Sequence, residues 1–143
     1  MDSRVKVLLS GCALHDLGEN IQKRILDGPW WLRVFGKLIA WRIRKNTGVR
    51  MDEFIKRASQ ISPSNMDLRG NMFGTMPNPS QRVFLAHVQD DSIVDHDLNF
   101  VKNKEMLGLG DENYITFETG GHEFEHNEGP LGAWMLLKLG RYL

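Results

Sequence analysis

The chain has 143 residues, 41% of them apolar, with 18 basic and 18 acidic side chains and a net charge of zero. That length suits one domain of ordinary size, and the apolar share is enough to build a core, which excludes wholesale disorder. Neutral overall charge gives no general reason to expect a nucleic acid or a strongly acidic substrate as partner. The balance conceals an asymmetry: residues 1–86 carry 14 Lys/Arg against 7 Asp/Glu, and residues 87–143 carry 4 against 11. A single cysteine, Cys12, cannot form an internal disulfide, so nothing argues for an oxidising compartment. The first ten residues lack the pattern of a secretory leader. No apolar run reaches the ~18 residues of a spanning helix. The expectation is a soluble, cytoplasmic protein.

In chain order, Val5–Ser10 (VKVLLS) reads as a short buried strand stopped by Gly11. Residues 15–27 place Leu17, Ile21, Ile25 and Leu26 on one helical face, and Gly28-Pro29 breaks that helix. Residues 30–45 mix Trp30, Trp31, Phe35, Leu38, Ile39 and Trp41 with Arg33, Lys37, Arg42, Arg44 and Lys45. Asn46-Thr47-Gly48 closes this second helix. Met51–Ser59 is a further short helix. Residues 61–81, rich in Pro, Gly, Ser and Asn, form a long loop within one domain. Arg82–Val88 (RVFLAHV) is a second buried strand, His96–Leu107 a helix, Tyr114–Glu118 (YITFE) a third strand, and Pro130–Leu143 a terminal amphipathic helix. Strands alternating with helices imply an α/β fold with a parallel sheet covered by helices. Ligands in such sheets bind beyond the C-terminal ends of the strands. Asp90 and Asp91 follow the second strand there, and His122 follows the third.

Two segments carry a resemblance. HVQDDSIV (87–94) resembles the H-G-x-x-D-x-x-V segment after the seventh strand of α/β-hydrolases, with Val88 in place of the usual glycine. ETGGHEFE (118–125) resembles the G-x-G-H loop after their eighth strand. VKVLLSG (5–11) is similar to the sixth strand, and residues 15–59 fall where that family inserts a helical cap. The resemblance implies a partial α/β-hydrolase fold spanning 1–143, with three parallel strands, flanking helices and a cap-like segment, loosely of the serine-aminopeptidase and acyl-thioesterase-like branch. It implies Asp91 as the triad acid and His122 as the general base. The acid accepts one imidazole N–H, fixing its tautomer, while the other ring nitrogen takes the nucleophile's proton. The substrate class would be a small acyl ester, thioester or amide, with no cofactor and no metal.

The family's nucleophile sits in a G-x-S-x-G elbow, and no such motif occurs among the 143 residues. The expectation is therefore a chain inactive alone: a truncated product, or a subunit of a split enzyme completed by another polypeptide. An apolar strand whose usual neighbour is missing is a sticky edge, so self-association or a partner chain is expected at Val5–Ser10. Cys12 follows the first strand but reads as buried and inert rather than as a substitute nucleophile. Ser92 is too close to Asp91 in sequence to serve. Asp90 reads as solvent-facing or turn-forming, His87 as a satisfied core histidine, His126 as a surface residue. HEFEH (122–126) also matches H-E-x-x-H, the pattern of zinc hydrolases, which requires a helix beneath it; the flanking Gly120-Gly121 and Gly129-Pro130 leave little room for one. Residues 30–45 have three readings: a cap over the active-site cleft, which the resemblance favours, an interfacial membrane helix, or a helix whose apolar face is core.

Overall fold

The structure, a computed structural model, describes residues 7–65 and 83–142. Three strands, β1 (Leu8–Gly11), β2 (Val83–Val88) and β3 (Tyr114–Phe117), form one parallel sheet in the order β1-β2-β3. Leu8 lies opposite Val83, and Leu85 opposite Tyr114. The three expected strands are present and parallel; β1 starts later than expected and includes Gly11, which was expected to stop it, and β3 ends one residue early. Val5, Lys6 and Arg82 lie outside the described residues, as do residues 66–81 of the expected loop. All six residues of β2 are buried, as the centre of a sheet covered on both faces requires. That explains why VFLAHV shows an apolar run interrupted only by His87 rather than alternation.

The chain divides into two compact units. The sheet unit comprises residues 7–13 and 83–142. Between β2 and β3, Asp95 caps a widened turn, His96–Val101, through its carboxylate on the Leu98 N–H at 3.0 Å. That turn continues into a helix, Lys102–Leu107. Val83, Leu85, Phe100 and Leu109 form the core, with Leu8, Ala13 and Tyr114 packed against it. Phe84 meets the ring of Trp134, on the final helix Glu128–Leu139, edge-on at 6.0 Å, and that of Tyr142 at 6.2 Å. Two buried asparagines bind main chain across the unit. Asn113 Nδ2 donates to Val83 O at 3.0 Å, and Asn103 Nδ2 to Ala13 O at 3.1 Å.

The second unit, residues 14–65, is helical: α1 (Leu17–Ile21) widening into Gln22–Leu26, α2 (Trp30–Thr47) and α3 (Met51–Gln60). Asp16 is its clasp. Its carboxylate accepts from the Glu19 N–H at 2.9 Å, from Ser59 Oγ at 2.7 Å and from Ser64 Oγ at 3.0 Å. Burial pushes that carboxyl's pKa up, but these donors outweigh it and hold the pKa below the usual value. Gly18 permits the close approach of α1 to α3, because a Cβ there would run into Ser59 Oγ and the Ile55 carbonyl. This unit contains residues 15–59, the segment read from sequence as cap-like.

His87 departs from its expected satisfaction. It is fully buried, stacked on Phe100 at 5.7 Å and edge-on to His96 at 5.4 Å. Neither ring nitrogen makes a well-formed hydrogen bond among the described residues, although the Val94 main chain lies close enough to favour the protonated ring. Burial, then the neighbouring His96, pulls its pKa below the ordinary 6.5. A base whose folded pKa is lowered binds its proton more readily in the unfolded chain, so stability is complete above that ordinary value and falls as pH drops below it. His87→Leu is expected to stabilise the fold by about 1–2 kcal/mol, the cost of a buried polar group left unpaired. Urea unfolding should show a larger gain near about pH 5 than near about pH 8, where both forms of the chain are neutral at this position.

Candidate functional site

Cys12, Asp91 and His122 each follow a strand by one to five residues, at the C-terminal end of the sheet. Parallel strands bring these three loops to one edge, although the residues are separated by up to 110 positions. The two residues expected to form the site do meet: His122 Nδ1 lies 2.8 Å from Asp91 Oδ2. Asp91 is 1% exposed, whereas the His122 side chain retains 40% of its accessible surface. The acid is thus enclosed and the imidazole can be reached from solvent.

Asp91 is held by its own loop. Its Oδ1 accepts the Ile93 N–H at 2.7 Å and the Val94 N–H at 2.9 Å, leaving Oδ2 for the imidazole. Asp91 thus closes a turn rather than capping a helix; the helix cap is Asp95, four residues on. Burial raises the Asp91 pKa, but the Val94 N–H, His122, the Ile93 N–H and Cys12 together lower it further, so the carboxyl stays ionised below its ordinary value. An ionised carboxylate on Nδ1 is what holds an imidazole in the Nδ1–H tautomer and stabilises its protonated form.

The His122 loop is fastened on both sides. Asp90, read from sequence as solvent-facing or turn-forming, accepts the Gly121 N–H at 2.7 Å and the Gly120 N–H at 3.4 Å. The two adjacent acids therefore divide the work: Asp91 orients the ring and Asp90 holds the backbone that carries it. Asn127 Nδ2 donates to Thr119 O at 2.7 Å and to Glu125 O at 3.1 Å, closing the loop from its far end. Gly120 has φ 135°, and a Cβ there would meet Asn127 Nδ2 at 2.5 Å and Glu125 O at 2.8 Å; the loop requires glycine at this position. Phe124 anchors the loop against β3 through Phe117, ring to ring at 6.2 Å. Sequence reasoning did not single out Asp90, Asn127 or Asn103 for these roles. A pair of adjacent acids and an asparagine beside glycines are the only signals they leave.

HEFEH does not form the helix its zinc reading requires. Residues 121–126 are consecutive turns, and Phe124 and His126 have φ of 61° and 65°, outside the right-handed helical region.

Cys12 completes the local cluster. It is buried, its N–H donates to Ala86 O at 2.9 Å, and its φ of 45° is a strained left-handed conformation for a non-glycine residue. Its Sγ lies 3.8 Å from the His122 carbonyl oxygen. Burial, then the hydrogen bond and charge of Asp91, push the thiol pKa up to about 12. The thiolate is the reactive form, and this environment suppresses it, in keeping with the inert reading. Donor atoms of Cys12, Asp91 and His122 lie within 4.8 Å of one another, the one such cluster among the described residues. A metal would have to take the thiol proton and break the Asp91–His122 hydrogen bond, so the arrangement favours the dyad.

Fold and site together define an α/β protein bearing an acid–histidine dyad at the C-terminal edge of a three-stranded parallel sheet. No protein-family model, curated protein or solved structure matches the chain.

Proposed function

We propose that this chain carries the acid–base half of an α/β-hydrolase-type acyl hydrolase, with Asp91 as orienting acid and His122 as general base, acting on an ester, thioester or amide. The observation that carries the reading is the 2.8 Å contact of His122 Nδ1 with a carboxylate whose other oxygen is tied to two backbone N–H groups. With Nδ1–H committed to Asp91, Nε2 is the acceptor that takes the nucleophile's proton and returns it to the leaving group. The sequence holds no G-x-S-x-G. On this reading the nucleophile and oxyanion donors come from residues outside these 143, in a partner polypeptide or a longer chain. They would join at β1, an outer strand of the sheet, whose far edge pairs with no other strand among the described residues and can accept one.

Two measurements test this. Long-range proton–nitrogen NMR of the imidazoles is expected to show His122 as the Nδ1–H tautomer, reverting toward the ordinary Nε2–H form in Asp91→Asn. The chain alone is expected to hydrolyse p-nitrophenyl acetate no faster than His122→Ala does. Turnover abolished by His122→Ala would mean that a nucleophile lies within these residues. Turnover abolished by Cys12→Ala as well would make that nucleophile the cysteine and overturn the division into halves.

A further inference from the structure

We propose that α2 is an interfacial helix that seats this protein on an anionic lipid surface. Six large apolar side chains of this helix stand in solvent: Trp30 is 72% exposed, Trp31 56%, Val34 61%, Phe35 55%, Leu38 58% and Trp41 54%. At 3.6 residues per turn they fall within one arc of about 140°. The opposite side carries buried Gly36, where a Cβ would meet Ile25 Cγ2 at 2.6 Å, with half-buried Leu32, Ile39 and Ile43 around it. The helix therefore already spends one face on its own unit and presents a second, wider apolar face outward. Contiguous exposed apolar surface on this scale marks an interaction site.

The charge pattern decides the occupant. Between Trp30 and Thr47 there are five cations and no Asp or Glu, and all five cations are exposed. Arg33, Lys37 and Arg44 line one border of the apolar arc. Arg42 and Lys45 extend from its C-terminal end, Lys45 lying 5.0 Å over the Trp41 ring. The nearest following acids are engaged elsewhere, Asp52 with Arg50 at 3.1 Å and Glu53 with Arg57 at 2.8 Å. A protein partner covering this face would have to bring acids of its own to five exposed cations spread along the whole helix. An anionic lipid surface supplies that negative charge at every point along it. Indole rings settle at headgroup level, aliphatic side chains reach the acyl boundary, and long cationic side chains extend back to the phosphates. No helix among the described residues is long and apolar enough to cross a membrane, so the helix would lie on the surface.

The full chain should be co-sedimented with vesicles of phosphatidylcholine with and without phosphatidylserine. Pelleting is expected on the anionic vesicles, with a blue shift of tryptophan emission and release at high salt. Each cation near an anionic surface contributes roughly fivefold in binding, so Arg33→Gln/Lys37→Gln/Arg44→Gln should weaken it about 100-fold. Trp31→Ala/Phe35→Ala/Leu38→Ala should abolish it with the circular dichroism spectrum unchanged, since these side chains are exposed. Three results would overturn the proposal: no pelleting at low salt, equal binding to neutral vesicles that the glutamine variant leaves intact, or an oligomer in lipid-free solution that the alanine variant converts to monomer. The last would assign the face to a second copy of the chain.

Discussion

Asp91→Ala is expected to be among the most damaging single substitutions, lowering stability by about 3–4 kcal/mol. The carboxylate receives two backbone N–H groups and an imidazole, and hydrogen bonds to a charged group are worth roughly 1.5–3 kcal/mol each before the exposed groups recover some water. Val94 is buried, so its N–H has no such recovery. Asp91→Asn separates structure from chemistry. The amide oxygen can still accept from Ile93 and Val94, so most of the stability should survive, whereas an –NH₂ facing His122 favours the wrong imidazole tautomer. On the proposed function, the asparagine variant joined to the missing half should therefore fold and fail to turn over. Acid unfolding supplies a second readout. The folded carboxyl has a pKa below its ordinary value, so its contribution is complete above the unfolded value of about 4 and disappears as pH falls through the folded one. Both variants should lose that part of the acid transition; denaturant midpoints between about pH 2 and pH 6 would measure it.

Phe84→Ala is expected to cost about 3–5 kcal/mol, the usual range for deleting a fully buried phenyl ring. Phe84 is 2% exposed in the central strand. It is the element through which the terminal helix rests on the sheet: Trp134, Tyr142 and the ammonium of Lys138, 5.5 Å from its ring, all pack on it. Lys138 is itself buried, so removing the ring also takes away one of the two aromatic faces its ammonium meets, leaving that of Trp134 at 5.7 Å. Thermal unfolding should fall by roughly 10 °C, and the loss should be accompanied by exposure of Trp134 to quenchers. Phe84→Leu, which keeps most of the volume, should cost less than half as much. Equal losses from the two would show that Trp134 and Tyr142 do not depend on the aromatic face.

Much of the sheet was legible because its signals are local. VFLAHV and YITF are apolar runs bounded by turn-formers, and a strand buried on both faces announces itself in that way. Parallel pairing followed from the helices between the strands, and placing Asp91 and His122 at one edge followed from parallel pairing. The terminal helix begins at Glu128, two residues before Pro130, which puts the proline near the start, where its missing N–H costs nothing. The widened turns at Gln22–Leu26 and His96–Val101 were unreadable, since one extra residue in a turn leaves the apolar spacing almost unaltered.

What the sequence by itself determined was therefore the element order, the parallel sheet and the candidacy of an acid and a histidine 31 positions apart. Only tertiary structure decided that they touch, that Asp90 holds the histidine's backbone while Asp91 holds its ring, and that Cys12 lies beside them with its thiol suppressed. Only it decided that 122–126 is a chain of turns and that the apolar face of α2 points to solvent. The reason is physical. Strand and helix formation is encoded in neighbours a few residues apart, but hydrogen-bond partners, burial and pKa shifts depend on which distant loops converge. A single sequence of 143 residues carries no direct record of that convergence.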